Sequence, residues 1–251
     1  MKFIIGFFMA WGNFITLPCP YKRWDSTLKN MMLAFLPSVG AVVGLLWMGL
    51  LWLFRQLELP LLVGGLVMIF YIFAVCGFMH LDGFMDCNDA ILSRRPLEER
   101  QRILKDSTVG AFAVVTLAFL LLGWFAAMTE ALPSLDYGAL LLLPVVSRGV
   151  SGLHVLTCVP IGHSQYVKDY EVPGRWKYRA AVAAQLAVWI TAAILLSVNL
   201  SRTLVMTAVI TVSGIFSCSY ARRQLGGMSG DIAGYTICIS ELAGILTLAV
   251  W

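Results

Sequence analysis

Residues 60–90, PLLVGGLVMIFYIFAVCGFMHLDGFMDCNDA, run apolar from 60 to 79 and then present three carboxylates, Asp82, Asp86 and Asp89. The apolar part is long enough to cross ~30 Å of hydrocarbon. At ~100° per residue a helix over 80–90 puts Asp86 roughly 40° from Asp82 and Asp89 roughly 20° the other way. All three acids then share one narrow face. Like charges at that spacing repel by a few tenths of a kcal/mol per pair, a cost helices avoid unless a cation sits among them. The alternative reading is a solvated acidic turn capping a membrane helix.

Outward from this stretch the same pattern repeats. Apolar spans are expected at 31–54, 60–79, 110–128, 137–159, 179–200, 203–220 and 232–251, with a shorter apolar and aromatic stretch at 3–17. Over the whole chain of 251 residues, 59% are hydrophobic and 13% charged, against roughly 25% charged in a soluble domain. The expectation is an all-α, polytopic integral membrane helical bundle forming a single domain over 1–251. It has about seven transmembrane helices plus an N-terminal interfacial or re-entrant helix. Gly40 and Gly44, four residues apart, allow a close helix approach. The six cysteines are scattered without a C-x-x-C pair and read as small apolar fillers. The segment after Met1-Lys2 lacks a small-residue cleavage pattern and is expected to be retained.

Charge placement orients the chain. Loops 21–30, 80–109, 160–179 and 221–231 carry 14 of the 18 Lys and Arg residues, and the opposite loops carry only Arg55 and Arg202. The positive-inside rule puts the first set in the cytoplasm. Ten of the 14 acids fall on that side too, so a site there is expected to be cytoplasmic.

Four constellations could carry chemistry. Asp82, Asp86 and Asp89 offer hard oxygen ligands suited to Mg²⁺, Mn²⁺ or Ca²⁺, and a divalent ion bridged to phosphates suits phosphoryl transfer. Gly83 leaves room for a phosphate, and His80 is either an interfacial polar residue or a site residue. In Lys105-Asp106-Ser107-Thr108-Val109-Gly110, Asp106 or Ser107 is a helix N-cap, or Asp106 adds a carboxylate to the same face. Gly226-Gly227-Met228-Ser229-Gly230-Asp231 is either a phosphate-holding turn beside Arg222 and Arg223 or a flexible connector with Asp231 as a cap. Arg148 and Glu241 lie within spans, each at a depth of roughly 15 Å. Each costs at least ~2.5–3.5 kcal/mol if unpaired at mid-bilayer, so they are expected to pair.

The blocks Thr16-Leu17-Pro18-Cys19-Pro20, Leu36-Pro37-Ser38-Val39-Gly40, His80 to Asp89, Lys105-Asp106-Ser107 with Gly110, Ser147-Arg148-Gly149, and Gly226-Gly227…Gly230-Asp231…Glu241-Leu242 together resemble the cobalamin synthase family, the adenosylcobinamide-GDP ribazoletransferases. The resemblance covers nearly the whole chain. Ala90 replaces a usual glycine, Phe84-Met85 replace smaller residues, and Cys238 stands where some relatives carry a polar or acidic residue.

The resemblance implies an Mg²⁺-dependent phosphotransferase of cobamide (vitamin B12) biosynthesis. It would join adenosylcobinamide-GDP to α-ribazole or its 5′-phosphate and release GMP. Asp82 and Asp86 would hold the metal, with Asp89 a third ligand or the general base. Arg148, His80, Gly83, Asp106, Gly226, Gly227, Gly230 and Asp231 would face substrate or phosphate, with Glu241 in support. The implied setting is the inner (plasma) membrane, with small-molecule substrates, lipid and possible copies of itself as partners and no nucleic acid. A CDP-alcohol phosphotransferase would need Ala-Arg after Asp-Gly and a downstream aspartate pair, which are missing here. A transporter would place its acids at mid-membrane, and here they gather at one face.

Overall fold

The computed structural model describes residues 1–162 and 164–251. The described residues form twelve α-helices: α1 (Lys2–Phe14), α2 (Lys29–Ala34), α3 (Leu36–Leu57), α4 (Leu61–Ala74), α5 (Met79–Leu92), α6 (Leu97–Ile103), α7 (Ala111–Ala131), α8 (Tyr137–Thr157), α9 (Val167–Tyr170), α10 (Trp176–Leu196), α11 (Leu200–Leu225) and α12 (Gly230–Val250). Six of them, α3, α7, α8, α10, α11 and α12, are long and apolar enough to cross a membrane. At 13 residues, α1 is too short to span, as expected, and leaves Phe3 and Ile4 exposed.

The seventh span departs from the straight helix expected at 60–79. The helix ends at Ala74, and α5 leaves it at an angle of 83°. Gly77 (φ 61°) and Phe78 (φ 59°) make the corner in the left-handed region, which glycine enters freely and phenylalanine only under tertiary constraint. The constraint is visible. Thr16 donates its backbone N–H to the Val75 carbonyl at 2.8 Å, and its hydroxyl donates to the same carbonyl at 3.2 Å. The segment after α1 thus covers carbonyls that the end of α4 leaves without helical partners. The acidic stretch is therefore a helix in its own right, which composition alone did not reveal.

The central helix is α8, buried along nearly its whole length. It packs on α3 through the two glycines spaced for it. A Cβ on Gly40 would lie 2.4 Å from the Pro144 carbonyl oxygen, and one on Gly44 would lie 2.9 Å from Leu141 Cα. Such backbone contact is how helices gain packing energy where lipid removes the hydrophobic drive.

The four loops that carry most of the basic residues meet at one end of the bundle. Met228 N–H donates to Val159 O at 2.8 Å and Ile161 N–H to Met228 O at 3.0 Å. Gln101 donates to Leu225 O at 2.8 Å, and Asn30 donates to Asp169 O at 2.9 Å. At the opposite end Asp136 caps α8 through Ala139 N–H at 2.7 Å.

Candidate active site

The acids owe their place to a tight pairing of α5 with α12. A Cβ on Gly83 would sit 2.7 Å from Asp231 Cα, and one on Gly234 would sit 3.1 Å from the His80 carbonyl oxygen. One helix turn separates each member of these pairs, and they run in opposite order, so α5 descends antiparallel to α12. The Phe84 and Tyr235 rings stack alongside, 5.7 Å apart. Gly83 therefore serves helix contact, where the sequence suggested space for a phosphate. We expect Gly83→Ala to force the two helices apart and cost about 1–3 kcal/mol, read as a lowered Tm in detergent together with reduced activity.

Asp82 is exposed and Asp86 half-buried on the resulting face. The charges of Asp82, Asp231 and Asp89 all act on Asp86, so four carboxylates share one region. Asp89 is differently engaged. It is buried and accepts from Gly110 N–H at 2.6 Å and from Ala113 N–H at 2.9 Å, one bond to each oxygen. It caps α7 across a gap of more than twenty residues, satisfying free N–H groups and meeting the positive end of the helix dipole. This corrects the local cap expected from Asp106 or Ser107. Asp106 instead folds back on Thr108, accepting from its N–H at 3.0 Å and its hydroxyl at 2.7 Å. Those bonds, backbone first, hold its carboxyl below the usual carboxylate range.

The three predicted metal ligands thus do not close into a trio. Among the described residues, no group of three His, Cys, Asp or Glu side chains converges on a point that could hold a metal ion. Asp82, Asp86, Asp89 and Asp106 do line one open cavity, together with Lys105 and Ser107.

Asp82 also borders a second cavity, of about 210 Å³, which runs beside the first two turns of α12 from Gly230 and Asp231 to Ile237. His80 and Arg148 line it. Asp82 is the wall common to the two. Ser229 caps α12 by accepting from Ile232 N–H at 3.3 Å, and its hydroxyl donates to Asp231 at 3.2 Å. Asn13, Gln165 and Tyr166 join the second cavity. No local pattern marks Gln165 and Tyr166, which arrive from a polar loop. Asn13 stood out only as an amide in an apolar stretch.

Arg148 and Glu241 pair as expected, at 2.6 Å, with exposures of 1% and 2%, so the pair is buried. Ser147 Oγ donates to the same Glu241 oxygen at 2.7 Å, and Arg148 donates further to Cys76 Sγ and to Pro144 O.

The glycine run divides. Gly226 (φ 82°) takes the left-handed position that ends α11, and Gly227 presses on the Pro160–Ile161 backbone. Both border a separate cavity with Arg222 and Arg223. Only Gly230 and Asp231 reach the cavity shared with Asp82.

The matching family model, cobalamin-5-phosphate synthase, covers residues 6–249, through every element of this site. The chain belongs to that family. Among curated relatives, an adenosylcobinamide-GDP ribazoletransferase of Clostridium perfringens (strain 13 / Type A) is 32% identical over 243 residues, spanning 96% of each chain. Another of the same name, from Clostridium botulinum (strain Alaska E43 / Type E3), is 31% identical over 98% of this chain and 97% of its own. A third, from Halalkalibacterium halodurans, is 32% identical over 94% and 92%. No solved structure matches the chain. The family match favours the cobamide reading over the CDP-alcohol and transporter alternatives.

Proposed function

We propose that this membrane protein is an adenosylcobinamide-GDP ribazoletransferase working at the face where Asp82, Asp86, Asp106 and Asp231 meet. The observation that carries the reading is Asp82 standing between two cavities, one acidic, the other with more apolar than polar surface. Two substrates can then meet at one carboxylate. A hydroxyl of α-ribazole, or of its 5′-phosphate, attacks the phosphorus joined to the cobinamide, and GMP departs.

The residues present fit Mg²⁺. This ion is commonly held by one or two carboxylates, its remaining positions filled by waters and substrate phosphates, and needs no closed protein cage. Asp82 and Asp86 would hold it, and bound there it would neutralise phosphate charge. Asp89, its oxygens engaged by the α7 amides, fixes the angle of α5 and thereby aims the other two. Asp231 fixes the opposite wall. Lys105 lies in the same cavity as the acids and provides a positive charge for the donor's diphosphate. The excess of Lys and Arg in the loops at this end supports a cytoplasmic face of the plasma membrane.

The test is the purified protein in nanodiscs. GMP release from adenosylcobinamide-GDP is expected only when α-ribazole (or its 5′-phosphate) and Mg²⁺ are both present. Folded protein that releases no GMP with all three supplied would overturn the proposal.

A further inference from the structure

The cavity beside α12 has a composition unlike the acidic one it adjoins. Phe14, Leu36, Val155 and Ile237 are among its lining residues, and more of its surface is apolar than polar. Two buried polar atoms on residues lining it have no hydrogen-bond partner among the described residues, His80 Nε2 and Arg148 Nε. Buried nitrogens left unpaired are costly, and both belong to side chains that line a space with room for a ligand. Its volume of about 210 Å³ lies below the usual range for drug-sized ligands, roughly 300–1,000 Å³, and is far too small for a corrinoid.

From these observations we infer that this cavity is the seat of the acceptor's benzimidazole nucleoside, with His80 and Arg148 as its polar contacts. The inference rests on the ribazoletransferase reading for the identity of the two substrates. A benzimidazole nucleoside is a flat, mostly apolar bicycle with one unsubstituted ring nitrogen, next to a hydroxylated sugar. Arg148 Nε–H can donate to that nitrogen or to a sugar oxygen, and His80 Nε2 can bond a hydroxyl. Asn13, Ser151, Gln165 and Tyr166 stand on the same wall and could pair the edge of a guanine, so the donor's base is the competing occupant that the test below separates. With the base seated along α12, the sugar points to the mouth, where Asp82 and Asp231 stand. The corrinoid is too large for either cavity and stays outside, with the donor's diphosphate reaching the acidic one of about 260 Å³. Here His80 is a specificity contact, and no step of the reaction is assigned to its protonation.

Val155 is the residue to vary, being apolar, buried and on the cavity wall. With full-length protein in nanodiscs, Val155→Phe is expected to raise the KM for α-ribazole tenfold or more. The KM for adenosylcobinamide-GDP and inhibition by GMP should stay within twofold. Val155→Ala, which removes bulk and does not threaten folding, is expected to improve the use of nucleosides with larger bases relative to α-ribazole. Direct binding of α-ribazole, followed by benzimidazole fluorescence in the absence of donor, should weaken in Val155→Phe by the same factor as KM. A raised donor KM or weakened GMP inhibition with α-ribazole unaffected would hand the cavity to the donor and overturn the inference. So would unchanged constants for both substrates in both variants. Wild-type protein that binds α-ribazole in this way yet releases no GMP would sink the proposed reaction and leave the seat of the nucleoside standing.

Discussion

Asp82→Asn and Asp86→Asn each lower GMP release by at least about a thousandfold, while Asp89→Asn acts chiefly on stability. A thousandfold corresponds to about 4 kcal/mol of transition-state stabilisation, a scale suited to losing a carboxylate that organises a metal and phosphates. Asp82 is exposed and Asp86 half-buried beside three other acids. Neutralising either removes repulsion, so the fold should hold or gain slightly. Asp89 is the contrast. Both its oxygens accept from the first turn of α7, and the amide keeps only one of them as an acceptor. The expected cost is about 1–2 kcal/mol of stability, seen as a lowered Tm, with residual activity well above that of the other two. Mg²⁺ titration of each variant separates the cases: apparent Mg²⁺ affinity should fall for Asp82→Asn and Asp86→Asn and stay near wild type for Asp89→Asn. Equal losses of Mg²⁺ affinity in all three would return Asp89 to the metal.

The second large effect lies deeper. Glu241→Gln leaves the Arg148 guanidinium charged and buried against a neutral partner, and Arg148→Met leaves the Glu241 carboxylate with only Ser147 as donor. Removing one member of a buried pair costs about 3–5 kcal/mol. Each single variant is therefore expected to give little folded protein, or a strongly lowered Tm. The double variant, with neither charge, should recover much of that loss, because replacing a whole buried pair is often near neutral. A double variant whose loss equals or exceeds the sum of the two single losses would show that the 2.6 Å contact does not couple the residues.

Much of this molecule was legible as pattern. Runs of apolar residues broken by basic loops mark the spans, since hydrocarbon thickness sets their length. Gly40 and Gly44 announced a close helix contact by their spacing alone. Arg148 and Glu241 announced each other, because two intramembrane charges at equal depth have little alternative to pairing. The position of the acids followed from the same topology.

What the sequence left open were relations between segments distant in the chain. Gly83 stands next to Asp82 and Asp89 three residues beyond Asp86, yet neither does what proximity suggests. Gly83 is small because the Asp231 backbone lies against it, and Asp89 is acidic because the start of α7 brings it two N–H groups. The corner at Gly77–Phe78 depends on Thr16, from an element some sixty residues earlier. The cavity beside α12 assembles from six helices together with Gln165 and Tyr166, so no window of sequence contains it. Sequence determined which residues must lie in the membrane and at which end the charges gather, since those follow from the solvation of each residue by lipid or water. Tertiary structure decided which acids remain open to a ligand and which are consumed in holding helices together, since that depends on the donors and backbones that folding places around each carboxylate.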